Sequence, residues 1–140
     1  MKDPARNNVV ILDFYQGAYG PTIRIDVQDV ASLIKIKELF LELAISARKK
    51  TDLAELPWIK ASGLRQLVLT QAPEREGCVK NLALRKDKDG SIALEWSLSS
   101  SGWKRCAGLI DGLIRLNSPA HQYLTEEGID DAIIEIAFRE

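Results

Sequence analysis

Lys80-Asn81-Leu82-Ala83-Leu84-Arg85-Lys86-Asp87-Lys88-Asp89-Gly90-Ser91-Ile92-Ala93-Leu94-Glu95-Trp96-Ser97-Leu98 is the stretch that decides the fold class. Leu82 and Leu84 alternate with polar or small neighbours, Asp87 to Gly90 supplies turn residues, and Ile92, Leu94, Trp96 and Leu98 resume the alternation. A period of two buries one face of a strand and wets the other, the pattern of an antiparallel hairpin. The outward set of its second strand is Ser91, Ala93, Glu95 and Ser97, three of them very small.

Upstream, Val9 to Phe14 is an apolar strand, Gln16 to Pro21 a turn cluster, and Thr22 to Val27 a second strand with Ile23, Ile25 and Val27 inward. A helix follows. Asp26 and Asp29 supply acids at its start, and Leu33, Ile36, Phe40, Leu43 and Ala47 recur at helical spacing. Arg48-Lys49-Lys50 is expected to close it, cations at the negative end of the dipole. Ile34, Leu39 and Leu41 widen its apolar stripe, which predicts a second element against it. Asp52 to Glu55 resembles a capping box on one short turn ended by Pro57. Leu64 to Thr70 is a third strand, expected to form a meander with the hairpin.

Downstream, Ser100 or Ser101 caps a second helix with Trp103, Cys106, Ala107, Ile110, Leu113 and Ile114 on one face. Gly108 and Gly112 in its interior predict a close approach to a neighbour. A long connection from Asn117 to Asp130 leads to a last strand, Ala132 to Phe138. The order ββαβββαβ gives an α+β, two-layer domain spanning residues 1–140: a largely antiparallel sheet with two helices packed on one face. Residues 1–8 are expected to be a flexible polar tail.

Composition narrows the function classes. The chain has 140 residues, 46% hydrophobic and 28% charged, enough to bury a core without staples. A net charge of −1 leaves no footprint for nucleic acid. No apolar run approaches the roughly 20 residues needed to span a bilayer, and the start lacks the apolar region of a secretory signal. Cys78 and Cys106 have no paired spacing and are expected to be reduced thiols, which places the chain in the cytoplasm.

No phosphate loop, nucleophile elbow or zinc-peptidase motif occurs, and neither a cofactor nor a metal site is expected. Trp58, Trp96 and Trp103 fall on apolar positions and are assigned to the core. Glu126, Glu127, Asp130 and Asp131 form an acidic loop without the EF-hand order.

Two candidate binding regions remain. The first is the loop around the single histidine, His121, with Tyr123 beside it and Glu126 or Glu127 as orienting acid. The second is an outer sheet face where Val68, Ala83, Ala93, Ile133 and Ala137 stand among Arg24, Arg85, Glu95, Glu135 and Arg139.

The stretch from His121-Gln122-Tyr123-Leu124 to Asp131-Ala132-Ile133-Ile134-Glu135-Ile136 resembles the C-terminal part of small bacterial proteins akin to the immunity proteins of toxin systems. The resemblance implies a non-enzymatic binder that neutralises a partner protein, and it carries over no residue roles. The lack of a catalytic constellation and the mixed outer sheet face make the expected function a protein-interaction module that binds a protein partner or self-associates. The alternative is a small-molecule-binding protein or enzyme using the loop around His121.

Overall fold

Val10–Gly17 (β1) and Gly20–Val27 (β2) form the first hairpin, in register from Ile11 opposite Asp26 to Gly17 opposite Gly20. The structure, a computed structural model, describes residues 9–74, 80–125 and 129–140. Helix α1 (Val30–Ile45) starts at Asp29, whose carboxylate accepts the Ser32 N–H (3.1 Å) and hydroxyl (2.7 Å). Lys50–Asp52 (β3), a 3-10 turn at Leu53–Glu55, Ile59–Ser62 (β4) and Gln66–Gln71 (β5) follow. Asp52 caps the short turn by accepting the Ala54 N–H. The second hairpin is Leu82–Lys86 (β6) and Ile92–Leu98 (β7), turned at Gly90 with φ +86°, a conformation natural to glycine. Helix α2 (Ser100–Leu116), Ala120–Tyr123 (β8) and Ile133–Phe138 (β9) complete the chain.

The α+β class stands, with both helices packed on sheet and on each other. The described residues form nine strands in two mixed sheets, ordered β4-β1-β2-β9-β8 and β3-β5-β7-β6. Four pairings are antiparallel and three parallel. The expected meander does not form: β5 runs parallel to β7 along the edge opposite β6. Alternation specifies which face of a strand is buried, not which strand lies beside it.

This order contains a repeat that the sequence hides. Each half of the chain runs hairpin, helix, then strands that pair antiparallel: β1-β2, α1, β3 with β5, and again β6-β7, α2, β8 with β9. The strand pairs are exchanged. β9 lies parallel on β2, and β5 lies parallel on β7. The buried positions of α1, Leu33, Ile36, Phe40 and Leu43, recur at the same spacing in α2 as Trp103, Cys106, Ile110 and Leu113.

One core results. Phe40 from α1, Trp96 from β7 and Trp103 from α2 meet with ring centroids 4.9–5.7 Å apart, joining both helices to the four-stranded sheet. Ile23, Ile25, Ile134, Ile136 and Phe138 bring the five-stranded sheet into the same cluster. Trp58 is half-buried against the core, with Lys35 Nζ 5.5 Å from its ring centroid.

Several local expectations are corrected. α1 ends at Ile45, ahead of the cations, because Lys50 is drawn into the pairing with Thr70. The cap of α2 is Ser99, which accepts the Gly102 N–H at 3.2 Å. Gly108 and Gly112 face open space. The broad stripe of α1 meets α2 on one side only, leaving Ile34, Leu41 and Ile45 exposed. Among the described residues, no helix is long and apolar enough to cross a membrane.

Candidate functional site

The two candidate regions of the sequence merge in part. β8, hidden in what reads as a connection, pairs with β9 so that Tyr123 lies opposite Glu135 and His121 opposite Ala137. β9 in turn lies on β2, with Ile133 beside Thr22 and Glu135 beside Arg24. His121, Tyr123, Ile133 and Glu135 therefore share the outer face of the five-stranded sheet. One row across that face reads Ser62, Asp13, Arg24, Glu135, Tyr123, and the next Lys60, Ile11, Asp26, Ala137, His121.

The other expected members fall elsewhere. Ala93 and Glu95 sit on β7, on the outer face of the separate four-stranded sheet, beside Arg85 and Ala83. Ala93 is 3% exposed, and Val68 and Ala137 are likewise buried, each outside the main core. The small residues do not make one low open surface; longer neighbours close over them. Glu126 and Glu127 lie outside the described residues, as does Cys78. Asp130 and Asp131 are not merely solvated: they accept backbone N–H groups at the edge of β6.

Electrostatics organise the middle of the face. The Arg24 guanidinium lies 4.0 Å from Glu135 and 3.8 Å from Asp26. Nδ1 of His121 is 2.9 and 3.0 Å from the two carboxylate oxygens of Glu140. That hydrogen bond raises the His121 pKa above its ordinary value, against a small opposing effect of burial. The imidazole and the Tyr123 ring stand nearly perpendicular, 5.6 Å between centroids at 78°. Glu140 is brought round by Arg139, whose left-handed backbone (φ +55°) is fixed by its N–H on the Val27 carbonyl (2.9 Å) and its Nε on the Gln28 carbonyl (3.0 Å).

Beside this charged centre is a cleft of about 290 Å³ lined by Tyr19, Tyr123, Thr125 and Ile133. Tyr19, at the tip of the first hairpin, is 84% exposed. Thr125 Oγ1 accepts the Ile134 N–H at 3.0 Å, which holds the cleft floor to β9.

Cys106 and His121 are the side chains of this region whose surroundings shift their titration. The thiol of Cys106 is buried on α2 and directed at the Leu124 carbonyl (3.8 Å), and burial pushes its pKa up to about 11, so it is an inert thiol. Among the described residues the His121 ring meets the Glu140 carboxylate and the Tyr123 ring. Sequence reasoning missed Glu140, Tyr19 and Thr125. Tyr19, a large aromatic between two turn glycines, is the one of the three with a legible signal. Glu140 reaches His121 only through the unpredicted β8.

No protein-family model, curated protein or solved structure matches the chain.

Proposed function

We propose that the protein is a non-enzymatic binding module whose outer five-stranded sheet face docks another protein. The observation that carries this reading is the group of partly exposed Tyr15, Tyr19, Tyr123, Ile11 and Ile133 around an arginine-carboxylate centre, on a face that neither helix covers. Tyrosines give large, rigid contact area with a polar tip, and the cleft at Ile133 offers a seat for one apolar anchor. Asp13, Asp26, Glu135 and Glu140 outnumber Arg24 and Lys60, so the face suits a partner with a basic centre and apolar groups around it. The segment with the immunity-like resemblance supplies β8 and β9 of this same face, and a toxin covered at its working surface is the partner to which it points.

The test is site-specific photocrosslinking in the native cell. A benzophenone side chain at Tyr19, Tyr123 or Ile133 is expected to give one discrete adduct, lost on adding Arg24→Glu. The same probe at Lys104, on the exposed side of α2, is the control. Equal adducts from both positions, or none from the sheet, would overturn the reading. An adduct at twice the mass of the chain would assign the face to a second copy.

A further inference from the structure

We propose that His121, Glu135 and Glu140 form a site for a divalent first-row transition-metal ion, with zinc the best chemical match. One ring nitrogen of His121 and one oxygen from each carboxylate all lie within 4.8 Å of one another. Donors held about 2.0–2.2 Å from a tetrahedral zinc ion lie roughly 3.3–3.6 Å apart. The pair between His121 and Glu140, now at 2.9 Å, has only to open slightly, and Glu135 to close in by side-chain rotation. An imidazole with two carboxylates is a mixed nitrogen and oxygen set, which favours zinc-like ions over calcium or magnesium with their all-oxygen shells.

A second observation points independently to a cation. Glu135 is 8% exposed, yet its carboxylate accepts no hydrogen bond among the described residues. Its ion partner Arg24 stands at 4.0 Å, too far for a hydrogen bond, and divides its charge with Asp26. The Glu135 side chain is 11% exposed and its oxygens still reach water, so the carboxylate is only loosely paired and stays accessible to an incoming cation. With the imidazole neutral, Arg24 against Asp26, Glu135 and Glu140 leaves a local charge of −2, which one divalent ion cancels.

The surroundings match those of a bound ion. Arg24 would orient Glu135 from outside the coordination sphere, and the near-perpendicular Tyr123 ring restrains the imidazole. His121 and Glu140 are exposed, so the ion has an entry path and room for water in the remaining position. β8, β9 and the turn at Arg139 each supply one ligand, so the ion would tie the edge strand to its neighbour. The site does not depend on the docking reading, because it needs no partner.

The experiment is calorimetric titration of the full chain, freed of any histidine tag, with Zn²⁺, together with Co²⁺ absorption spectroscopy. One equivalent of Zn²⁺ is expected to bind, and Co²⁺ to give a visible d–d band that excess Zn²⁺ abolishes. His121→Ala and Glu140→Gln, both at exposed positions, should each weaken binding about tenfold or more with unchanged circular dichroism. Glu135→Gln should do the same, and Glu38→Gln on α1 should have no effect. Absence of saturable binding up to millimolar Zn²⁺ would overturn the proposal. So would wild-type affinity in both His121→Ala and Glu140→Gln, which would assign the ion to another place on the surface. Crosslinking from the sheet face could still succeed in either case, so the two readings fail separately.

Discussion

Asp130 and Asp131 do at residue scale what the exposed edge of a sheet requires. β6 is an edge strand, and its outward N–H groups would otherwise offer a template for another chain. Asp130 accepts the N–H groups of Asn81 (2.7 Å) and Leu82 (2.9 Å), while Asp131 accepts that of Leu84 (2.9 Å) and pairs with Lys80 Nζ (2.9 Å). Removing Asp130 strands two donors of one strand. Asp130→Ala is expected to destabilise the fold by about 1.5–3 kcal/mol, measured by urea denaturation, with Asp130→Asn recovering part of the loss. Asp131 adds a pH dependence. The Leu84 N–H first, and Lys80 second, hold its pKa below the ordinary aspartate value. Its contribution is therefore present above about pH 4 and is lost as the pH falls through the depressed folded value. Urea midpoints taken from pH 7 to 3 should fall less steeply in Asp131→Asn than in the parent; identical slopes would remove Asp131 from the acid response.

At the scale of elements, what the sequence reveals depends on whether the signal is local. Asp29 is a local signal: an acid ahead of an apolar-periodic run, and it caps α1 as its chemistry predicts. Asp29→Ala should cost about 1 kcal/mol, read as a lower melting temperature with little change in the denaturant slope. The alternation of β2, β7 and β9 is equally local, and Ile25, Trp96 and Ile136 are all buried as it requires. β8 has no such signal. Ala120-His121-Gln122-Tyr123 is a four-residue edge strand, mostly exposed, with no buried face to impose alternation. It exists because β9 has an open side, and that information lies elsewhere in the chain. The candidate site was half legible for the same reason. His121 and Tyr123 stand out as residue types, but their meeting with Glu135 and Glu140 is created by β8 pairing. Ala93 and Glu95 fit the same outward pattern as Ile133 and Glu135, and alternation cannot tell one sheet from another.

For the whole molecule, the exchanged strand pairs decide how it unfolds. Each sheet takes a hairpin from one half of the chain and two strands from the other, joined by the parallel seams of β2 with β9 and β5 with β7. Neither half can then complete a sheet alone, and the aromatic group of Phe40, Trp96 and Trp103 draws on both halves again. The Lys37–Asp111 ion pair (2.9 Å) adds a polar tie between the two helices. Parallel pairing between distant segments must overcome loop-closure entropy before it yields stability, so partial structures gain little. Unfolding is expected to be a single cooperative transition, with tryptophan fluorescence and far-ultraviolet circular dichroism giving coincident urea curves. Phe138→Ala, which empties a fully buried position on the β2–β9 seam, should lower stability by about 3–5 kcal/mol. It should also move both probes together, although the fluorescence arises from tryptophans outside its strand. Two separated transitions, or a fluorescence curve that stays in place while circular dichroism shifts, would show that the halves fold as independent units and that the exchange of strands does not couple them.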